Sequence, residues 1–428
     1  MADINKLAQM LKELDDQLVN CMRCGMCQAV CPLFKETGRE FDVARGKLAL
    51  LDGLASEMIK DPEGVNERLN RCLLCGTCAA NCPSGVKVSD IFLKGRAIMT
   101  GYLGLSPVKK AIFKGMLANP KLFDTLLSFG SKFQGLFTKE ADALLGSSCA
   151  RFNAPVIGDR HFKGLAKKPF HKIIPEMDTQ PRGDAPRVAI FTGCAIDKIF
   201  PSVGEAAVKA LQHHGCGIFL PKGQACCGIP VISSGDRETF DKLVRTNLEV
   251  YKNAEFDYLL TSCATCTATI KELWSDMYGG YAGDKLDIER IAEKTMDISQ
   301  FLVDVMGVEP SEVNGGDVTY HDPCHLRNSL KITAQPRTLL KASKGCSLKE
   351  MPEAASCCGC GGSFNLNHYE LSQKIGNRKA DNIQASGAKT VATSCPACML
   401  QITDMLSQRQ AGVGVKHVIE LYADGLPR

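Results

Sequence analysis

The sequence predicts an α/β protein that carries an all-α part at its N-terminal end. Three observations carry that expectation. First, a set of five cysteines occurs twice: Cys194, Cys226-Cys227-Gly228 and Cys263-x-x-Cys266, then Cys324, Cys357-Cys358-Gly359 and Cys395-x-x-Cys398, with equivalent positions 130 to 132 residues apart. Self-similarity at a fixed offset marks a duplicated structural unit. Second, strand-like and helix-like runs alternate around each set, which implies parallel β–α–β units. Third, residues 1–98 carry helical periodicity and a different cysteine pattern.

Length and composition set the bounds. A chain of 428 residues is long enough for about three domains and a sizeable core. Its 51 basic and 47 acidic residues nearly balance, which argues against nucleic acid as the partner. The 22 cysteines are too many for an ordinary enzyme, and a disulfide framework belongs to small chains in oxidising compartments. The start of the chain, Met1 to Leu7, is charged early and has no apolar core of a signal peptide. No run of eighteen uncharged apolar residues occurs. The expectation is a cytoplasmic protein whose reduced thiols hold metal, placed at most peripherally on the inner face of the cell membrane.

Residues 3–19 repeat Ile4, Leu7, Leu11, Leu14 and Leu18 at helical spacing. Then follow Cys21-x-x-Cys24-x-x-Cys27-x-x-x-Cys31-Pro32 and, later, Cys72-x-x-Cys75-x-x-Cys78-x-x-x-Cys82-Pro83. This is the bacterial ferredoxin run, in which the fourth cysteine serves the other cluster. Cys21, Cys24, Cys27 and Cys82 are therefore assigned to one 4Fe–4S cluster, and Cys72, Cys75, Cys78 and Cys31 to a second. Zinc is the competing reading, but structural zinc usually takes CxxC pairs and not triplets. The stretch between the runs has Ala44, Leu48, Leu50, Leu51, Leu54 and Met58 mostly at helical spacing, which predicts a stiff helical spacer.

From Leu105 to Lys139 six lysines face one acid, Asp124. Apolar groups such as Ile112, Phe113, Leu126 and Phe133 lie between them, and Pro120 divides the pattern into at least two helices. A basic amphipathic helix can rest on an anionic membrane. The alternative is an apolar face packed on the rest of the protein. Residues 151–186 mix proline, glycine and charge and read as a linker over the surface, with Cys149 a bystander. Residues 99–186 together form the connecting region.

Residues 187–308 and 309–428 are the two repeats. Arg187–Gly193 and Asp317–His321 read as strands that end at Cys194 and Cys324; Phe256–Ser262 and Lys389–Ser394 read as strands that end at the CxxC pairs. The cysteines thus fall where strands hand over to helices, the edge where open α/β sheets bind ligands. Ten thiols on two such edges suit a soft metal or a metal–sulfide cluster, whereas cysteines used only for packing need no paired spacing. Gly193, Gly228, Gly359, Gly361 and Gly362 are expected to let backbone approach a cluster. Residues 275–297 read as an insertion after the first repeat. Asp297–Leu302 and His417–Leu421 read as matching closing helices. Cys216 and Cys346 fall at equivalent places and read as structural. Cys360 reads as packing, with a sixth ligand as the alternative. His321 and His325 flank Cys324 and suggest second-sphere hydrogen bonding, with proton relay as the alternative.

This arrangement resembles the cysteine-rich "CCG" domain of the heterodisulfide reductase family. Residues 1–98 resemble the helical ferredoxin domain of succinate dehydrogenase and heterodisulfide reductase subunits. The fused order, with His321-Asp-Pro-Cys-His-Leu326, Cys357–Leu366 and Ser394–Leu400, resembles the iron–sulfur subunits of glycolate and D-lactate dehydrogenases. The resemblance implies a helical two-cluster ferredoxin domain followed by two α/β CCG units. It implies that Cys194, Cys226, Cys227, Cys263 and Cys266, and Cys324, Cys357, Cys358, Cys395 and Cys398, hold one or two further 4Fe–4S clusters of non-cubane type.

No GxGxxG opens a helix after a strand, and no P-loop, Ser–His–Asp or HExxH pattern occurs. No catalytic residue is assigned, and the chain needs a partner to meet an organic two-electron donor. The resemblance implies a subunit of an oxidoreductase complex that passes electrons from a FAD-containing dehydrogenase subunit to a quinone or a membrane-bound acceptor. Two alternatives stay open: a heterodisulfide-reductase-like subunit that cleaves a disulfide on its CCG clusters, and the iron–sulfur subunit of anaerobic glycerol-3-phosphate dehydrogenase.

Overall fold

The computed structural model describes residues 4–152, 158–311 and 315–427. The N-terminal part is all helical. Ile4–Leu11 continues through a tighter turn to Leu18, and Ala44–Ala55, Pro62–Asn70 and Val88–Leu103 follow. Leu7, Leu11, Leu14, Leu51, Leu69 and Ile91 share one buried cluster, so the helical spacing read from the sequence is the core-facing stripe. Asp61 starts its helix with Pro62 at the first position and a side-chain oxygen 2.9 Å from Gly64 N. Met58 falls beyond the end of the spacer helix and is exposed.

Each repeat is a parallel sheet with the same strand order. The first runs Gly217–Leu220, Arg187–Phe191, Tyr258–Thr261, Thr295–Asp297; the second runs Cys346–Leu348, Gly316–Tyr320, Thr390–Thr393, Gly414–His417. All these neighbours pair in parallel, as crossover helices require. The first sheet gains an antiparallel edge strand, Met177–Asp178, on Gly217–Leu220. The chain is thus α/β with an all-α N-terminal part.

Two expectations need correction. Residues 275–297 are not wholly an insertion, because Thr295–Asp297 is the fourth strand of the first sheet, matching Gly414–His417 in the second. Three-residue strands are too short for periodicity to reveal. Nor is the connecting region only helices and linker: Thr138–Asp142, Ser147–Ala150 and Phe162–Lys163 form an antiparallel sheet, held by Ser147 Oγ, which lies 2.6 Å from Ser407 Oγ of the second repeat. Residues 153–157 of that region lie outside the described residues.

The connecting helices carry an unusual surface. Pro120 opens the helix Pro120–Phe137, as its fixed φ favours. None of its residues is buried, and Leu122, Leu126, Phe129, Phe133 and Leu136 form an outward stripe, each 42% to 65% exposed. The opposite side is anchored: Gln134 exchanges two hydrogen bonds of 2.9 Å with the backbone of Leu165.

Candidate metal centres

The ferredoxin loops cross over as their spacing requires. One cavity is lined by Cys21, Cys24, Cys27 and Cys82, and an adjacent one by Cys31, Cys72 and Cys75, with Cys78 touching both. Short helices, Met26–Val30 and Thr77–Ala80, turn each run back on itself after a glycine in the left-handed region. Backbone N–H groups point at sulfur: Leu74 N lies 3.4 Å from Cys72 Sγ. Burial pushes the Cys31 thiol up to about 12, the cost a bound metal ion must overcome by displacing the proton.

The repeat cysteines form two packed sets. In the first, Cys194 Sγ lies 3.8 Å from Cys226 Sγ. Cys226 also meets Cys227, Cys227 meets Cys266, and Cys266 meets Cys263. In the second, Cys324 meets Cys357, Cys357 meets Cys358, Cys358 meets Cys398, and Cys398 meets Cys395. Protons are shared between neighbours. Hydrogen bonds from Cys226 and Cys266 hold Cys227 well below the ordinary thiol range, while Cys226 is pushed well above it. Cys358 and Cys395 are held low in the same way.

The sets are not separate. Cys263 of the first pairs with Cys395 of the second. Cys357 of the second pairs with Cys75 of the ferredoxin part. Ala264 N donates to Ser394 O at 3.0 Å, which locks one CxxC loop to the other. Asn328 Nδ2 donates to Cys75 O at 2.8 Å and to Thr77 Oγ1 at 3.0 Å, which fixes the other junction. Leu33, Leu73 and Phe364 fill the space around it. Sulfur therefore runs unbroken from Cys75 through the second set and the first set to Cys194.

The stretch 321–326 now has a physical account. Asp322 is clamped by Arg337 through two bonds, 2.7 and 2.8 Å. His325 Nδ1 lies 3.1 Å from Thr265 Oγ1, which in turn lies 3.4 Å from Cys395 Sγ. His321 is fully buried, yet neither ring nitrogen has a hydrogen-bond partner among the described residues. Burial, with Lys379 nearby, pushes its pKa down to about 3, so the ring is neutral. Its nitrogen and the sulfurs of Cys358 and Cys398 all lie within 4.8 Å of one another.

Do these residues fit iron–sulfur groups? Three fully buried cations answer. Arg96 donates to the carbonyls of Leu69, Cys72 and Ser233; Lys47 to that of Asp42; Lys379 to those of Glu353 and Ala354 and to Met351 Sδ. Among the described residues none has a carboxylate partner. Unpaired buried charge is costly, and each of the three lies near the cysteine sets. Anionic thiolate-bound clusters would supply the missing charge. Five sulfurs per set also exceed the four that tetrahedral zinc uses. The donor set fits.

Gly193, Gly228, Gly359, Gly361 and Gly362 all take positive φ, yet not all of them face a cysteine set. Gly228 has φ +99, but a Cβ there would sit 2.5 Å from the Phe240 ring, so the constraint is helix packing. Gly193 meets the expectation: its Cβ would approach Cys266 Sγ to 3.2 Å. Cys216 and Cys346 are buried at the ends of helix–strand turns, away from both sets.

Comparison with known proteins agrees with this geometry. A 4Fe-4S dicluster domain matches residues 17–86, and a cysteine-rich domain matches 188–271 and again 318–403. The probable glycolate oxidase iron-sulfur subunit of Bacillus subtilis is 31% identical over 414 residues, 91% of this chain and 89% of that one. The chain belongs to the glycolate oxidase iron–sulfur subunit family. It is therefore an iron–sulfur protein of an oxidoreductase type. A fumarate reductase (CoM/CoB) component of Methanothermobacter marburgensis is also similar, 29% identical over 95% of this chain and 72% of its own length. A crystal structure of a hypothetical protein from Helicobacter pylori shares the fold, with a TM-score of 0.52 at 10% identity over 90% of this chain and 68% of that one.

Several site residues escaped the sequence reading. Lys379 and Asn247 are equivalent across the repeat, and Asn247 bonds Ala225 N and Cys226 O where Lys379 brings a charge. The offset that aligned the cysteines would have paired them. Thr265, Asn328 and Arg96 carry no motif, because each has a partner in another unit.

Proposed function

We propose that this chain is the electron-transfer subunit of a flavin-dependent 2-hydroxy-acid dehydrogenase, of the glycolate or D-lactate kind. Cys21, Cys24, Cys27 and Cys82, with Cys31, Cys72, Cys75 and Cys78, hold two 4Fe–4S clusters. The ten repeat cysteines hold one or two more. When bound, these groups supply one-electron relay chemistry between a FAD-containing partner subunit and a quinone or other carrier. The observation that carries the reading is the unbroken line of sulfur from Cys75 to Cys194. The chain's own groups serve that line: buried Arg96, Lys47 and Lys379 offset its negative charge, and backbone amides such as Gly359 N, 3.4 Å from Cys357 Sγ, stabilise sulfur charge. Neutral His321 offers no proton to a substrate.

Among the described residues no helix is long and apolar enough to cross a membrane. The outward stripe of Pro120–Phe137, flanked by Lys121, Lys132 and Lys139, instead supports a peripheral contact with the membrane's inner face.

The test is anaerobic purification with the flavoprotein partner, then addition of glycolate or D-lactate. Reduction of the clusters on substrate addition is expected, with iron between about eight and about sixteen per chain. Cys358→Ser or Cys227→Ser should each remove one repeat-linked EPR signal and spare the ferredoxin signals. A colourless protein with stoichiometric zinc, or spectra untouched by both substitutions, contradicts the assignment. A second reading, disulfide reduction on the repeat clusters, is favoured by the similarity to the Methanothermobacter protein. A co-purifying cytochrome without a flavoprotein would select it.

A further inference from the structure

One large cavity stands apart from the cluster cavities. It encloses about 430 Å³, against about 30 Å³ for each of the two ferredoxin cavities. That volume is in the range of small-molecule sites. One wall is apolar and partly aromatic: Leu117, Phe123, Phe170 and Ile174 from the connecting region and Leu220 from the first repeat. Only two of the ten repeat cysteines reach it, Cys194 and Cys226, and they form its floor. These are the last links of the sulfur line.

One side of the cavity is polar. His171 Nδ1 lies 2.8 Å from Asp197 Oδ1, Lys198 Nζ lies 2.7 Å from Asp197 Oδ2, and Lys198 also contacts Asp124. Asp124, His171 and Asp197 cluster as metal ligands do, but the buried ammonium of Lys198 already sits among them as their cation. Lys222 and Glu176 pair across the rim at 2.9 Å. The helix that supplies Phe123 and Asp124 to the cavity is the one whose other face is the exposed apolar stripe.

We infer that this cavity is the outlet of the electron line and takes the ring of a lipophilic quinone-class carrier, whose tail leaves along Pro120–Phe137. The inference rests on the electron-transfer reading above. The balance is simple. A group held by Cys194 and Cys226 would supply two electrons singly, and with two protons these would convert the quinone to its quinol. Both carbonyl oxygens become hydroxyls. The electrons come from the hydroxy acid oxidised on the flavin partner, and the protons enter past His171, whose ring is 39% exposed. The apolar wall of Leu117, Phe123, Phe170, Ile174 and Leu220 suits an apolar ring better than a polar disulfide substrate.

The experiment uses the cluster-loaded chain under anaerobic conditions and 2-heptyl-4-hydroxyquinoline N-oxide, a fluorescent quinone analogue. Saturable quenching is expected. Leu117→Trp and Ile174→Trp, which fill the cavity, should weaken binding at least tenfold, while Leu144→Trp, exposed and outside it, should leave binding unchanged. In parallel, an azidoquinone is photo-crosslinked to the unaltered chain, so the result does not depend on variants that fold poorly. Label within 117–124, 170–176 or 192–198 supports the inference. No saturable binding, full binding in both filled variants, or label confined elsewhere overturns it. The partner and its substrate are added to the same sample: clusters that reduce without analogue binding sink only the outlet, whereas clusters that stay oxidised sink the electron-transfer reading itself.

Discussion

Buried charge at single residues does most of the work around the cysteine sets. Asp297 shows how such a group can be read in solution. Burial pushes its carboxyl up to about 7, above the roughly 3.9 of an unfolded chain. The folded state therefore keeps a proton that the unfolded state loses. Stability falls as pH rises between those two values and stays lower above them. Asp297→Asn keeps an acceptor for Ser299 N, now 2.8 Å away, and removes the titration. The variant's advantage over the natural chain should grow by about 2–3 kcal/mol between pH 5 and pH 8. Thermal melts of the loaded protein across that range check this; a natural chain with a flat profile contradicts it. In the sequence Asp297 reads only as the start of a closing helix. Its burial was not legible, because it depends on the strand Thr295–Asp297 that brings it under the second repeat.

At the scale of elements, long periodic pieces were legible and short ones were not. The helix at Pro120 was announced by its proline and its lysines. Which way its apolar face points was open, since periodicity gives a stripe and not a direction. The structure turns the stripe outward. That orientation makes a sharp prediction. Leu126→Ser, Phe129→Ser and Phe133→Ser together should lower the melting temperature by only a few degrees, because none of the three is buried. They should weaken co-sedimentation with anionic phosphatidylglycerol vesicles about tenfold, or about 1.4 kcal/mol. Binding that survives all three changes removes the membrane reading, and a fall in melting temperature of more than about ten degrees shows that the stripe is packed after all. The sheet at 138–163 was missed for a related reason: strands of two to five residues, interrupted by Gly146 and charged groups, leave no period to count.

For the whole molecule, the duplicated cysteine frame made the two α/β units legible, while their shared strand order comes from the structure. How the three parts meet was not legible. Spacing within a run says which sulfurs share a loop; it says nothing about Cys75 meeting Cys357 or Cys263 meeting Cys395. Arg96 tests that assembly. Its guanidinium joins Leu69 and Cys72 of the ferredoxin part to Ser233 of the first repeat. Arg96→Met should cost about 3–5 kcal/mol, since three buried carbonyls lose their donor. It should also lower the midpoint potential of one ferredoxin cluster by tens of millivolts, because a cation that favours the reduced form is gone. Redox titration followed by EPR checks this, and an unchanged potential removes the electrostatic part of the argument.

The bond from Ala264 N to Ser394 O has a consequence for symmetry. Two identical units facing each other about a twofold axis would exchange two such bonds, each loop donating once. The position equivalent to Ala264 is Pro396, which has no N–H to give. The second copy can therefore receive but never return the bond. That proline makes the clasp one-sided: a pair of like copies would forfeit the bond on both sides or double it, but never reproduce the single form that this chain holds.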